Sequence, residues 1–183
     1  MNRSLFITIH MYLAAFFAPF VLLVCISGGL YLIGIKGSTE TEAIYQSWDV
    51  EELRAELKDA PALNLSVAKL LGEAGVADYE FEYVKVKGDT LYTRPTSRQY
   101  YIIKLGDAVD ISRATPSLQA AMMELHMGHG PTAFKTFQKF FAIGLLLVIG
   151  SGLWLGLSAP RLRTRTLAAA GGGSLAFLLV VLL

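Results

Sequence analysis

The side chains of this 183-residue chain best suited to chemistry are its three histidines, His10, His126 and His129. Two of them fall in the run Met122-Met123-Glu124-Leu125-His126-Met127-Gly128-His129-Gly130. On a helix beginning near Ser117 and continuing through this run, Met122, His126 and His129 share one face at i, i+4 and i+7. A thioether with two imidazoles suits copper(I), with Met127 as a further sulfur, whereas two imidazoles alone suit a haem iron or another transition metal. Gly128 and Gly130 oppose that register because glycine ends helices. A Met-rich amphipathic stripe also packs on lipid or protein without holding any ligand. His10 stands apart, in the first turns of a long apolar run. A membrane haem joins two ligands at similar depth. His10 as a haem ligand therefore calls for a second copy, another subunit or a non-histidine ligand; as a structural residue it anchors a helix at the interface.

Little else in the chain is reactive. The one cysteine, Cys25, allows no intramolecular disulfide and no cysteine-based zinc or iron–sulfur site, and it reads as a packing residue. Glu80 and Glu82, two apart in an alternating run, form a weak cation pair at most and more simply a solvated face. No glycine-rich strand–turn–helix pattern for a flavin or nicotinamide is present. The net charge of +1 gives no global field for nucleic acid.

The elements that must position these residues are set by where the acids lie. All 15 acidic residues fall between Glu40 and Glu124, and the mean hydropathy is +0.48. A carboxylate at mid-membrane costs about 2.5–3.5 kcal/mol, so acids are excluded from spans. The acid-free flanks predict three transmembrane helices. The first lies in residues 1–36, retained as an anchor with Pro19 near its middle. The second covers 137–159 and the third 167–183. Residues 160–166 form a basic turn, Pro160-Arg161-Leu162-Arg163-Thr164-Arg165. Arginine in a short loop stays cytoplasmic, which predicts a cytoplasmic N-terminus, residues 36–136 outside and an outer C-terminus. In a bacterium this is an inner-membrane protein with a periplasmic domain.

Glycines 150, 152 and 156 are expected to pack against Gly171-Gly172-Gly173-Ser174 across that turn. A weak internal repeat aligns Leu22–Leu32 with Leu145–Leu155, each ending in a small-Gly-Leu-aromatic-Leu motif. Transport is disfavoured, because no span carries a buried acid.

Between the first two spans, residues 37–117 read as a small α+β domain. Asp49–Asp59 and Leu65–Ala74 have helical patterning, and Tyr79–Val86 alternates like a half-buried strand. Gly88-Asp89 marks a turn into further strands at Thr90–Thr93 and Gln99–Lys104. Residues 118–136 form an amphipathic His/Met segment. No catalytic constellation occurs in the α+β region.

Taken together, a histidine opening the first helix (His10-Met11-Tyr12-Leu13), Ser27-Gly28-Gly29-Leu30-Tyr31-Leu32 near its end, Leu125-His126 before the second helix and Gly150-Ser151-Gly152-Leu153-Trp154-Leu155 closing it resemble the PepSY-associated transmembrane proteins. The resemblance implies three spans with a PepSY-like extracytoplasmic domain inserted between helices 1 and 2. Larger members have a fourth helix and include haem-containing reductases of ferric siderophores, which implies His10, His126 and His129 as haem-related positions. PepSY modules are otherwise tied to protease inhibition or protein binding at the envelope.

Three readings result. The leading one is a non-enzymatic membrane protein whose periplasmic domain binds a protein partner or another copy of itself, with lipid around its helices. The second is a haem-b electron-transfer component of a ferric or siderophore reductase system. The third is periplasmic copper handling through Met122, His126, Met127 and His129.

Overall fold

The computed structural model describes residues 3–47, 49–76 and 78–183. Among the described residues, three helices are long and apolar enough to cross a membrane: α1 (Arg3–Leu32), α5 (Thr132–Leu157) and α6 (Pro160–Leu182), with mean hydropathies of 2.3, 2.2 and 1.7 over their best windows. At about 1.5 Å per residue each exceeds the ~30 Å of a hydrocarbon core. Pro19 sits inside α1, and the helix continues on both sides of it.

The predicted basic turn is instead helical. The helix breaks at Ser158-Ala159, and Pro160 opens α6, carrying Arg161, Arg163 and Arg165 on its first turns. Proline at a first helical position has its φ already set and loses no intrahelical bond, so the break falls before it.

The chain divides into two compact units, one formed by residues 1–21 and 139–183, the other by residues 22–138. In the first, the aromatic ring of Phe17 lies against Gly144 and edge-on to Phe141, at 5.7 Å between centroids, and Phe20 packs on the same ring at 4.3 Å. The expected glycine seam between the second and third spans is not formed. Gly171, Gly172 and Gly173 have nothing within 4 Å of a would-be Cβ, while Gly156 receives the Thr166 side chain and Gly152 receives His10. The helix break at Ser158 places the start of α6, not its glycine run, beside Gly156.

The second unit contains a five-stranded antiparallel sheet in the order β1-β5-β4-β3-β2, built from β1 (Thr39–Ser47), β2 (Tyr83–Lys87), β3 (Thr90–Arg94), β4 (Tyr100–Leu105) and β5 (Val109–Pro116). The β2–β3 hairpin closes through Gly88, whose φ of 59° is the left-handed geometry that a two-residue hairpin loop requires at its first position.

Two helices, α2 (Val50–Glu56) and α3 (Ala60–Glu73), cover one sheet face. From α3, Leu63, Val67, Leu70 and Leu71 recur at the helical period and meet Leu91, Tyr101, Ile103 and Ile111 in one buried cluster. Asp59 caps α3 by accepting from the Ala62 N–H, and Asn64 Oδ1 accepts from the Val84 N–H at 2.9 Å, tying the helix to the sheet edge.

Two strands, β1 and β5, are absent from the sequence expectation, and β2 begins at Tyr83 rather than Tyr79. Tyr79 and Phe81 pack on the core from the preceding loop, so their alternation marks burial and not a strand. The 118–136 segment is likewise divided between α4 (Leu118–His126), a five-residue turn and the start of α5.

Candidate functional site

In the first unit, His10 projects from α1 onto α5, where its ring lies over Gly152, with Cε1 at 3.3 Å from the place a Cβ would take. Its Nδ1 is 2.8 Å from Ser151 Oγ. That hydroxyl donates its own proton to the Val148 carbonyl at 3.0 Å. A serine has one proton to give: with it on the Val148 carbonyl, Nδ1 carries the imidazole hydrogen and Nε2 the lone pair, whereas a serine proton given to Nδ1 reverses the tautomer.

The second unit repeats the arrangement with different helices. His126, the last residue of α4, lies over Gly28 of α1, again with Cε1 at 3.3 Å from the would-be Cβ. Its Nδ1 is 3.1 Å from Ser27 Oγ, and Ser27 donates to the Leu23 carbonyl at 2.7 Å. With the Ser27 proton on the Leu23 carbonyl, His126 likewise keeps its lone pair on Nε2. Among the described residues, neither Nε2 has a hydrogen-bond partner.

Each histidine is thus oriented by a serine and seated on the glycine that follows it. The internal repeat of the sequence supplies both Ser-Gly steps, in a register one residue removed from the gapless alignment: Ser27-Gly28 corresponds to Ser151-Gly152.

Local structure explains why His126 is held there. Ser117 caps α4 by accepting from the Ala120 N–H and also accepts from the Ser38 N–H at 3.0 Å. Gln119 Nε2 donates to the Ser27 and Ile35 carbonyls at 3.2 and 3.1 Å, capturing acceptors at the end of α1. Gly37, with φ of 77°, lets the backbone pass 2.5 Å, measured from a would-be Cβ, from the Ala120 nitrogen.

His129 does not join His126. The helix stops at His126 through Gly128, whose φ is 78°, with Gly128 N–H donating to the Leu125 carbonyl at 3.1 Å and His129 N–H to the Glu124 carbonyl at 2.8 Å. This paired bonding is a Schellman ending, and it removes His129 from the Met122–His126 face. Hence the expected i, i+4, i+7 stripe is broken, and the Met122, His126, Met127, His129 set is not gathered on one helix face. Met127 is the exposed capping residue. Among the described residues, no three His, Cys, Asp or Glu side chains form a metal-holding group.

The same ending brings His129 back against Glu124, Nδ1 to Oε2 at 2.9 Å. Glu124 Oε2 also accepts from Thr96 and lies 3.5 Å from Arg94 Nη1, which donates to Thr96 Oγ1 at 2.6 Å. Sequence reasoning passed over this cluster, since Arg94, Thr96 and Glu124 come from segments far apart in the chain.

Glu82, expected on a strand face beside Glu80, precedes β2 and caps α5. Its two carboxylate oxygens each accept from the Thr132 N–H at 2.9 Å, and Oε2 accepts from the Thr132 hydroxyl at 2.6 Å. These bonds hold its pKa below the ordinary carboxylate value.

No protein-family model, no characterised protein and no solved structure matches the chain, so its function is argued from this geometry.

Proposed function

We propose that this chain is a bacterial inner-membrane protein, similar to the PepSY-associated type, that carries haem b through His10 and His126 and passes electrons within the membrane. The observation that carries the reading is the paired seat of the two imidazoles. Each sets Nδ1 against a serine hydroxyl that also reaches a helix carbonyl, and with the serine proton on that carbonyl Nε2 is unencumbered. A ligating histidine nearly always gives its other ring hydrogen to a fixed acceptor, which sets ring orientation and raises basicity.

The fit extends to shape. Gly28 and Gly152 let each imidazole lie close to a helix backbone, and a side chain there would crowd it. Haem held by such nitrogens supplies one-electron redox chemistry. The residues of this chain position the imidazoles and surround them with apolar helix surface. The α+β region then lies on the periplasmic side, and the basic start of α6 on the cytoplasmic side, by the distribution of acids and arginines.

The test is the visible spectrum of the protein purified in mild detergent, oxidised and then dithionite-reduced. A Soret band with sharp reduced α and β bands is expected, lost at one site in each of His10→Ala and His126→Ala. Unchanged haem content in both variants would remove these residues from the reading.

A second reading, binding of a protein partner or another copy by the periplasmic domain, is favoured by the β1 edge of the sheet. β1 has a strand on one side only, and such an edge accepts an added strand. Recovery of a stoichiometric partner after gentle solubilisation supports it; an inert monomer in every condition counts against it.

A further inference from the structure

A cluster of cationic side chains outside the histidine seats lies on the sheet face turned away from α2 and α3. Lys85 and Lys87 of β2, Tyr92 and Arg94 of β3, Tyr100 of β4 and His129 line a cavity of about 260 Å³, together with Thr96 and Glu124. The strand period puts Lys85, Lys87, Tyr92 and Arg94 on this face while Val84, Leu91 and Thr93 point into the core.

Three permanent cations face a single carboxylate, leaving an excess of about two positive charges before His129 is counted. Among the described residues, Lys85 and Lys87 form no ion pair. Arg94 is 11% exposed at its side chain, and its Nε is buried without a hydrogen-bond partner. Its Nη1 is held by Thr96 and Glu124, so Arg94 enters the site as a fixed, largely desolvated charge. Tyr100 adds a phenol that burial keeps protonated, its pKa pushed up.

We propose that this cavity binds a phosphate-type oxyanion, either a free phosphate species or the phosphate of a lipid headgroup. Lys85, Lys87 and Arg94 neutralise the anion, Tyr92 and Tyr100 flank it, and Glu124 holds Arg94 and His129 in place from one side. The volume is several times the ~30 Å³ share of one water, enough for a phosphate group. A concave site of one sign concentrates its counter-ion, and the interaction weakens as salt rises. The site is independent of the haem reading, since it shares no residue with His10 or His126.

The test uses the full chain in maltoside micelles, titrated calorimetrically with inorganic phosphate and, separately, with dihexanoyl phosphatidylglycerol. The variant is Lys85→Gln/Lys87→Gln, both exposed positions, with circular dichroism and haem content measured alongside as controls for folding. Saturable binding of inorganic phosphate, weakened at least fivefold in the variant, supports the site with a soluble ligand. Saturation by the lipid alone, weakened by the same factor, supports it with a headgroup. Binding of neither probe, or a loss below fivefold in a folded variant, overturns the proposal.

Discussion

Removing the serine that orients a histidine, and nothing else, isolates the feature on which the haem reading turns. In Ser27→Ala the Nδ1 of His126 loses its hydroxyl partner at 3.1 Å, and in Ser151→Ala that of His10 loses one at 2.8 Å. Neither change should unfold the chain. Each serine lies in a helix interior and bonds back to a carbonyl one turn earlier, and alanine is the better helix former there. What is lost is the lock on ring orientation. Partners of this kind typically contribute 10–100-fold to metal affinity, or about 1.4–2.8 kcal/mol at 1.4 kcal/mol per decade. The shorter bond at His10 puts Ser151→Ala toward the upper end. The assay is titration of haem-depleted protein with haemin in detergent, following the Soret band, with Ser158→Ala as a control. The Ser158 hydroxyl donates to the Leu155 carbonyl and, among the described residues, bonds to no histidine. Affinities within twofold of the unaltered protein in both Ser27→Ala and Ser151→Ala would refute the reasoning, because the hydroxyls would then be mere helix contacts.

Four further outcomes follow from the packing. Gly28→Ala places a methyl 3.3 Å from His126 Cε1, a few tenths of an ångström inside the usual ~3.5–4.0 Å carbon contact; the expected result is a shifted reduced α band with haem retained, read by difference spectroscopy. Gly144→Leu drives a side chain into the Phe17 ring and should lower the detergent melting temperature of the membrane helices. Leu63→Ala, at a side chain 1% exposed, should destabilise the α+β region by about 2–5 kcal/mol in urea unfolding. Glu82 has a depressed pKa, so its capping of α5 stabilises fully above the ordinary glutamate pKa and fades as pH falls through its lower folded value; Glu82→Gln should remove that acid-side slope from the pH–melting curve, and an unchanged slope would assign it to other carboxylates.

The three long apolar helices were legible because the exclusion of carboxylates from hydrocarbon is a strong, one-dimensional signal; α1, α5 and α6 lie where the acid-free runs put them. Their boundaries were less so. Arginines 161, 163 and 165 read as a loop by charge, yet Pro160 starts a helix and carries them on it. Within the α+β region, α3 and the β2–β3 hairpin announced themselves by period and by Gly88. β1 did not, since Thr39-Glu40-Thr41-Glu42 is exposed and shows no apolar alternation. It is a strand because β5 offers it a partner from Thr39↔Pro116 to Ser47↔Val109, a contact that no local pattern encodes.

The histidines show the same division between local and distant information. Their identity was visible, but the expected grouping of His126 with His129 followed helix periodicity through a residue pair that ends the helix. Gly128 sends His129 to Glu124 and the basic cavity, while His126 stays with Ser27 and Gly28. What the sequence did carry was the second half of each seat, written twice as a serine followed by a glycine. Small-residue repeats in membrane helices ordinarily signal close helix packing. Here both glycines face an imidazole and both serines meet its Nδ1, so each Ser-Gly step orients a histidine. Two such seats, on different helices and each with Nε2 left without a partner among the described residues, are more than packing requires, since packing alone is indifferent to which ring nitrogen meets a hydroxyl.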